Sequence, residues 1–556
     1  LYVAFRCYDP DPSAIRARLT DCEQFFGDDH VHFQIDTFND ERRFFLFGAN
    51  PKGVQQDFVY YDEQFDRSWD AIFDAAAKIV KWGYIVEFAV PFNQFRFQRT
   101  EGEQTWGFDA WRIYPRSVER NFAVVSRDRN NNCLPCQMAK IKGFRGVRSG
   151  KNIELVPTLT AVRTDARNPF PAGSFEKRHQ EIDTGITGQW GVTPNLILSG
   201  ALNPDFSQVE ADARQLDINT PFALSYAEKR PFFVEGVAYF RSPLVNAVYT
   251  RSIRDPLWGA KISGKEGANS LGGFVVEDEV TNVILPSIES SRNATLPGSS
   301  YASVFRYKRD LGNRYSVGAL VTSREGQDYF NRVYGADGDF RLTDKDRFTL
   351  QWLGSTTRYP ADFADRHQQP RGSFTDGAMA LQYAHQTRSV YWSTEIADYG
   401  EDFRADLGFE PQVGGREYYG ELGYQWVPEK DTWFTSISVE GEYEYLEDDS
   451  GRPVRRTGDV HFWYLGPLQS QIGGRIYKRR ESFNGREFDI LYYGGSASFI
   501  PNQSISAGLS TSFGNMIDYA NTQLGDRVGL YPYLDLKLGD HLEVDLEYTY
   551  EQLDVP

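Results

Sequence analysis

A long alternation of apolar and polar side chains constrains the fold of this chain more than any other feature. Between residues 432 and 446, aromatic, aliphatic or small residues alternate with residues that are mostly serine and glutamate. One set is Trp433, Thr435, Ile437, Val439, Gly441, Tyr443 and Tyr445, and the other is Phe434, Ser436, Ser438, Glu440, Glu442 and Glu444. Successive side chains of a strand point to opposite faces, so the stretch predicts a strand with one apolar and one acidic face. Its length suits a tilted membrane strand of about 9–11 residues better than a sandwich strand of about five or six.

The same alternation recurs elsewhere in the second half of the chain. Residues 420–426 repeat it, and so do residues 542–550. A transmembrane β-barrel turns its apolar residues to lipid and its polar residues to the lumen. The acids of these strands therefore predict a locally acidic lumen that disfavours anions, or one whose acids pair with a basic plug or partner. The acids concerned are Glu440, Glu442, Glu444, Glu543, Asp545 and Glu547.

Composition agrees with a barrel and excludes some other classes of protein. Aromatic residues make up 15% of the 556 residues, which fits aromatic girdles at the membrane interfaces. No run of about 18 apolar residues is present, so the sequence predicts no transmembrane helix. The net charge of -17 argues against a nucleic-acid partner, which requires a basic surface.

Two regions with different strand lengths divide the chain. Residues 1–145 contain short strand-like runs between Pro- and Gly-containing turns, which predicts a soluble β-sandwich. Residues 146–556 contain longer strands, with tight turns alternating with longer polar loops, which predicts an outer-membrane β-barrel of about 20 or more strands. The tight turns are expected near Pro194, Gly312, Asp344, Thr387, Glu429, Gly466, Asn502 and Gly539. The predicted fold class is therefore all-β, a β-sandwich followed by a large antiparallel barrel.

Residues 203–240 interrupt the strand rhythm of the second region. Such an insertion is expected to fold inside a wide barrel or to cap one end. Its charged residues are Asp205, Glu210, Asp212, Asp217, Glu228, Lys229, Arg230 and Glu235. Clustered carboxylates suit a Ca²⁺ site or a constriction, but no EF-hand spacing is present, so a plug whose charges pair with the wall is the favoured interpretation.

The four cysteines fall into two pairs that are close in sequence. Cys7 with Cys22 and Cys133 with Cys136 are candidate disulfides, since oxidation is the default in the periplasm and at the cell surface. Four cysteines allow three connectivities. The C-x-x-C run could also form a redox or metal site, but no second C-x-x-C and no nearby histidine support a metal.

Candidate ligand-binding residues lie in the first region. Trp69, Trp106 and Trp111 could stack on a sugar ring, and Asp28 and Asp29 could bind Ca²⁺. The alternative is that the tryptophans fill the sandwich core. The sequence has no G-x-S-x-G, H-E-x-x-H or P-loop motif, so no catalytic residue is assigned and the chain is expected not to be an enzyme.

Two stretches resemble known families. Residues 28–57 (DDHVHFQIDTFNDERRFFLFGANPKGVQQD), with 69–79, 87–92 and 104–116, resemble the family-9-type carbohydrate-binding domain found at the front of certain large bacterial outer-membrane proteins. Residues 203–236, with 249–255 and 259–265, look like the start of the barrel domain of unknown function that follows it. The resemblance implies a sandwich joined to a barrel, and it implies that both ends of the family's pattern are missing from this sequence. Any hydrolase activity would rest on fold analogy alone.

These observations leave three functions open. The leading hypothesis is an outer-membrane barrel that binds or passes a ligand, with the first region in the periplasm. The others are a glycan-binding or glycan-processing protein anchored by its barrel, and a structural or secretion scaffold for another envelope protein. Expected partners are outer-membrane lipid and a saccharide, and Ca²⁺ is the one cofactor considered.

Overall fold

The structure is a computed structural model of the chain. It describes all residues except 26, 62–63, 68, 98–101, 148–152, 169–171, 194, 205–218, 431 and 540–541. Asp205, Glu210, Asp212 and Asp217 of the predicted luminal set therefore lie outside the described residues. No helix in the described part of the chain has the length and apolar character needed to cross a membrane.

Ten short strands build the first region, in two antiparallel sheets. They are β1 (Tyr2–Tyr8), β2 (His30–Asp36), β3 (Arg43–Ala49), β4 (Gln55–Tyr61), β5 (Gln64–Asp66), β6 (Asp74–Val80), β7 (Gly83–Ala89), β8 (Gln104–Pro115), β9 (Glu119–Ala123) and β10 (Ala139–Phe144). One sheet has the order β1-β7-β6 and the other β10-β8-β2-β3-β4-β5, with β9 also paired to β8. Phe33 and Phe47 of the second sheet pack with Phe88 of the first in one core, so the two sheets form a sandwich.

In the described part of residues 146–556, twenty strands, most of them longer than those of the first region, form one continuous antiparallel sheet, which we call the barrel sheet. They are β11 (Glu154–Asn168), β12 (Ser174–Gly191), β13 (Leu196–Leu202), β14 (Pro256–Glu266), β15 (Asn269–Asp278), β18 (Ser300–Leu311), β19 (Tyr315–Gly326), β20 (Tyr329–Arg341), β21 (Asp346–Arg358), β22 (Ser373–Gln386), β23 (Val390–Tyr399), β24 (Gly415–Trp426), β25 (Ser436–Asp448), β26 (Pro453–Gly466), β27 (Ser470–Phe483), β28 (Arg486–Asn502), β29 (Ile505–Asp518), β30 (Gln523–Leu538), β31 (Leu542–Glu547) and β32 (Tyr550–Asp554). A hairpin of β16 (Thr281–Pro286) and β17 (Ser291–Leu296) lies beside this sheet, and two short α-helices are α1 (Pro231–Val234) and α2 (Ala361–His367).

The predicted fold class is confirmed: the chain is almost entirely β, and its large sheet pairs neighbouring strands in sequence order. Pro194 lies outside the described residues, and strands end at each of the seven other predicted tight turns. The strand predicted within residues 432–446 is β25, which begins at Ser436. Trp433 precedes it, and its ring stacks on Tyr464 of β26.

The barrel sheet has two different faces, as the alternation requires. Phe305, Val321, Tyr334, Trp352 and Tyr443 are exposed on one face, as are many other apolar residues on alternate positions. The residues between them point to the opposite face, which is covered in part by other segments of the chain. We call the first face outer and the second inner.

Contacts with the first region indicate that the barrel sheet is strongly curved. Arg42 donates to the carbonyl oxygen of Gly312 (3.3 Å), and Lys265 of β14 contacts Asp40. Arg16 donates to the carbonyl oxygen of Ile500 (3.4 Å) in β28. In a flat sheet β14 and β28 would be about 58 Å apart at a strand spacing of about 4.8 Å. A compact region of 145 residues, such as the first region, has a radius of gyration of only about 15 Å. It could not contact both β14 and β28 if the sheet were flat, so the barrel sheet must curve.

Candidate functional site: an ionic ladder inside the barrel

The inner face divides into a filled part and an ionic part. Phe274, Val276, Val304 and Leu353 on the inner side of β15, β18 and β21 are buried under other segments of the chain. On β24–β27 the inner side chains are mostly charged and half-exposed instead. We call the second set the ionic ladder, and its members are Glu417, Glu421, Glu440, Glu442, Glu444, Arg455, Asp459, His461, Arg475, Arg479 and Glu481. Carboxylates outnumber arginines in this set.

Cross-strand register places the charges of the ladder beside each other. Arg455 Nε donates to Glu444 Oε1 (2.5 Å), and Arg475 Nε donates to Asp459 Oδ2 (2.7 Å). Both pairs are diagonal in the register, because Glu444 lies opposite Thr457 and Asp459 lies opposite Tyr477. Diagonal neighbours in antiparallel strands are about 7–8 Å apart, a distance that a long arginine side chain can span. The ladder therefore fits the predicted acidic wall, but part of its charge is balanced by arginines of the wall itself.

Other acids of the ladder have hydroxyl groups as neighbours. Tyr391 Oη donates to Glu440 Oε2 (2.6 Å), and Ser393 Oγ donates to Glu421 Oε1 (2.9 Å). A hydroxyl group orients a carboxylate but does not neutralise it. We therefore expect the wall around these acids to have a negative potential toward the interior.

Residues 219–255, which we call the inward segment, fill the opposite part of the interior. Phe232 and Phe233 pack against the inner side of the barrel sheet. At one end Asn219 Nδ2 donates to the carbonyl oxygen of Ile517 (2.7 Å), next to the loop between β29 and β30. Near its middle, Tyr239 accepts a hydrogen bond from Arg43 Nη1 of the first region (2.8 Å). We call the end of the barrel sheet with the tight turns near Gly312 and Asn502 the turn end, and the opposite end the loop end. The segment thus runs from the loop end to the turn end, where the first region lies.

The predicted luminal residues that the structure describes act within this segment. Arg230 Nη2 donates to Glu228 Oε2 (2.6 Å), and Arg230 Nη1 donates to the carbonyl oxygen of Ile253 (2.7 Å). The backbone carbonyl of Glu235 accepts from Lys261 Nζ (2.5 Å), and the backbone N–H of Lys229 donates to Glu228. These contacts suit the favoured plug interpretation. They give no support to a Ca²⁺ site at Glu228, whose carboxylate is taken up by Arg230 and Thr250.

Two inward cations were not among the predicted site residues. Lys261 is buried in β14 and contacts the carbonyl oxygens of Phe232 and Glu235. Arg324 is buried in β19 and donates to Asp278 Oδ2 (2.7 Å). Each lies at the parity of the inner face, where a cation among small, apolar or hydroxyl side chains is the signal that could have identified both.

The predicted sugar-binding tryptophans do not form one exposed platform. Trp106 is only 1% exposed and stacks on Phe144, so it belongs to the core and cannot stack on a sugar. Trp69 is half-buried against Phe45 and Phe47. Trp111 is half-buried, and its Nε1 donates to Asp109 Oδ2 (2.8 Å). The alternative of a core role therefore holds for Trp106.

Asp28 and Asp29 are also buried and already engaged. Arg18 Nε donates to Asp28 Oδ1 (2.7 Å), and Arg116 Nη1 donates to Asp29 Oδ2 (2.7 Å). Burial raises the pKa of both carboxyl groups, although the arginines act in the opposite direction. Buried aspartates that are paired with arginine are poor Ca²⁺ ligands, so the structure disfavours this predicted metal site.

One of the two predicted disulfides is present. Cys133 and Cys136 are bonded, whereas Cys7 and Cys22 are both free thiols. Cys7 lies on the buried side of β1 in the sandwich core, and Cys22 is exposed in the loop that follows, so the two do not meet.

The disulfide loop lies against the turn end of the barrel sheet. Arg341 Nη1 at the end of β20 is 2.8 Å from Cys133 Sγ and 3.1 Å from Cys136 Sγ. Asn132 N donates to the carbonyl oxygen of Asp344 (3.0 Å). The disulfide therefore stabilises a loop that docks the first region on the barrel sheet.

Replacing both Cys133 and Cys136 with serine should loosen this docking. Without the crosslink the loop gains conformational freedom, and Arg341 loses both sulfur contacts. We expect limited proteolysis of the intact protein between residues 128 and 138 to be several times faster. Cys22→Ser is the matched control and should leave the rate unchanged. Equal rates in the double variant and the control would contradict the docking role.

A large antiparallel sheet that is apolar outside and ionic inside defines a β-barrel type of protein with a partly filled interior. Residues 157–265 match the family described as a domain of unknown function (DUF5916). None of the curated proteins matches the chain. The family-9-type resemblance of residues 1–145 stays a prediction.

Several solved structures are similar at low level. OccK10 (OpdN) of Pseudomonas aeruginosa is 11% identical, with 53% of this chain and 87% of that chain covered and a TM-score of 0.30. OccK5 (OpdH) of the same organism is 9% identical, with 94% and 97% covered and a TM-score of 0.29. The translocation pore of the P pilus usher (PapC) is 10% identical, with 95% and 93% covered and a TM-score of 0.27. Values this low do not define a relationship.

Proposed function

We propose that the protein is an outer-membrane β-barrel that forms a cation-preferring, gated passage. The proposal rests on the different chemical character of the two faces of the barrel sheet, which is apolar on the outer face and partly ionic on the inner face. Exposed apolar residues on alternate positions make a continuous outer surface, which favours contact with lipid. The ionic ladder on the inner face favours contact with water and polar solutes.

The position of the first region supports a role in gating. It contacts the short turns of the barrel sheet, and short turns of outer-membrane barrels are periplasmic. The first region would then lie in the periplasm and cover that mouth of the passage. Saccharide remains the candidate ligand class, and half-buried Trp69 and Trp111 are the residues still able to contribute to its binding.

The acidic excess of the ladder predicts the ion preference of the passage. Each carboxylate stabilises a cation about 4 Å away by roughly 1 kcal/mol in water-like surroundings. We expect the K⁺ to Cl⁻ permeability ratio, from reversal potentials in planar bilayers, to exceed one. Replacing both Glu440 and Glu442 with glutamine should lower this ratio severalfold toward one.

The control for this measurement is an acid of the outer face. Asp489→Asn removes a carboxylate that pairs with Arg480 on that face, so the permeability ratio should not change. Absence of conductance, or an equal effect of the control and the ladder variant, would contradict the proposal.

A further inference from the structure

One corner of the ionic ladder combines an imidazole with two carboxylates. Glu442 of β25 lies directly opposite Asp459 of β26, and His461 lies two residues further along the same face of β26. His461 Nε2 is 3.2 Å from Asp459 Oδ2 and 3.5 Å from Glu442 Oε1. Among the described residues this is the one group of three such side chains whose ligand atoms all lie within 4.8 Å of each other.

The polar atoms at this corner are incompletely satisfied. His461 Nε2 and Asp459 Oδ1 are both buried, and neither has a hydrogen-bond partner in the structure. The Asp459 side chain is only 1% exposed. Buried polar atoms without partners are destabilising, so a ligand that engages them would be stabilising.

We propose that Glu442, Asp459 and His461 form a binding site for a divalent transition-metal ion on the inner wall of the barrel. Zinc binds imidazole nitrogen and carboxylate oxygen at about 2.0–2.2 Å, which in tetrahedral geometry separates neighbouring ligand atoms by about 3.4 Å. The separations of 3.2 and 3.5 Å around His461 Nε2 match this spacing. Three protein ligands leave one position for water or for a solute in the passage.

The donor set selects the class of metal. One imidazole with two carboxylates suits Zn²⁺, Co²⁺, Ni²⁺, Fe²⁺ or Mn²⁺, whereas Ca²⁺ and Mg²⁺ prefer oxygen ligands alone. Arg475 Nε donates to Asp459 Oδ2 (2.7 Å), which fixes the carboxylate beside His461 Nε2, while Asp459 Oδ1 has no hydrogen-bond partner. A positioned carboxylate of this kind is the usual support of a metal site.

Titration of the full-length protein in detergent, after removal of bound metals with a chelator, tests the site. Zn²⁺ binding is measured by calorimetry, and Co²⁺ is used as a probe because its visible absorption reports coordination. We expect one ion per chain, with at least tenfold weaker binding in His461→Ala and in Glu442→Gln. Two variants on different strands keep the test decisive if one of them fails to fold.

His385→Ala is the matched control. His385 Nδ1 also lies beside a carboxylate, 2.6 Å from Asp346 Oδ1, but outside any such group of three. Its removal should leave the affinity unchanged. Equal Zn²⁺ affinity in the wild type and His461→Ala, or an equal loss in His385→Ala, would overturn the proposal and leave His461 as a histidine held between two acids. Because binding is measured in detergent, this outcome is independent of whether the barrel conducts ions.

Discussion

Arg324→Ala should destabilise the barrel by about 3–5 kcal/mol, because it leaves a buried carboxylate without its cation. Arg324 and Asp278 are both 0% exposed and lie 2.7 Å apart on the inner side of the barrel sheet. Arg324 also donates to the carbonyl oxygen of Asn282 (2.7 Å) in the β16–β17 hairpin. Its loss therefore affects the wall and a segment packed against it. The free energy of unfolding is measured by denaturant titration in detergent.

Asp406 extends this network into the loop between β23 and β24. Its carboxylate accepts from Tyr329 Oη (2.7 Å) and from Tyr359 Oη (3.1 Å), and its carbonyl oxygen lies 3.4 Å from Arg324 Nη1. The double variant Arg324→Met with Asp278→Asn should recover most of the lost stability, since it removes the unpaired charge as well as its partner.

An exposed pair on neighbouring strands supplies the control. Arg332 Nε is 2.7 Å from Glu325 Oε1, but the two side chains are 54% and 41% exposed. Arg332→Ala should cost less than about 1 kcal/mol. If Arg324→Ala were no more destabilising than Arg332→Ala, the buried network would not hold the inner segments in place.

The periodicity of the strands made the barrel sheet predictable from sequence. In β25, Val439 and Tyr443 lie on the outer face and Glu440 and Glu442 on the inner face, as the alternation requires. Side-chain direction along a strand depends only on parity, so local sequence is sufficient for this step.

Contacts between distant parts of the chain were not predictable in the same way. Lys261 meets Phe232, and Arg324 meets Asp406, only because strand order and curvature bring these residues together. The metal-binding corner has the same origin, since Glu442 and His461 meet across a strand pair and share no sequence motif. Trp106 shows a further limit: alternation in β8 does not distinguish a core face from a ligand face.

Removing residues 1–145 should increase the conductance of the barrel severalfold. The first region spans the turn end of the barrel sheet. Lys265 lies between Asp40 and Asp310, at 2.6 Å from Asp310 Oδ2, while Ser117 accepts through its backbone oxygen from Gln469 N (3.0 Å) on the far side. A body attached at both sides of a mouth excludes solute from it. Single-channel conductance in planar bilayers measures the change.

A point variant tests the same gate without deletion. Lys265→Met leaves Asp40 and Asp310 facing each other without their shared cation, and like charges in a half-buried site repel. We expect more frequent openings of the intact protein. Arg314→Met is the control, because Arg314 pairs with exposed Asp344 on the same row of turns.

The deletion and the Lys265→Met variant also separate the contributions of the first region and of the inward segment to closing the passage. We expect the inward segment to stay in the interior after deletion of residues 1–145, because Phe232, Phe233 and Arg230 are held by the barrel sheet and by the segment itself. The open conductance should therefore remain below that of an empty barrel of about 20 strands, with the ionic ladder still setting its cation preference. Unchanged conductance in both variants would mean that the inward segment alone closes the passage and that the first region serves another purpose.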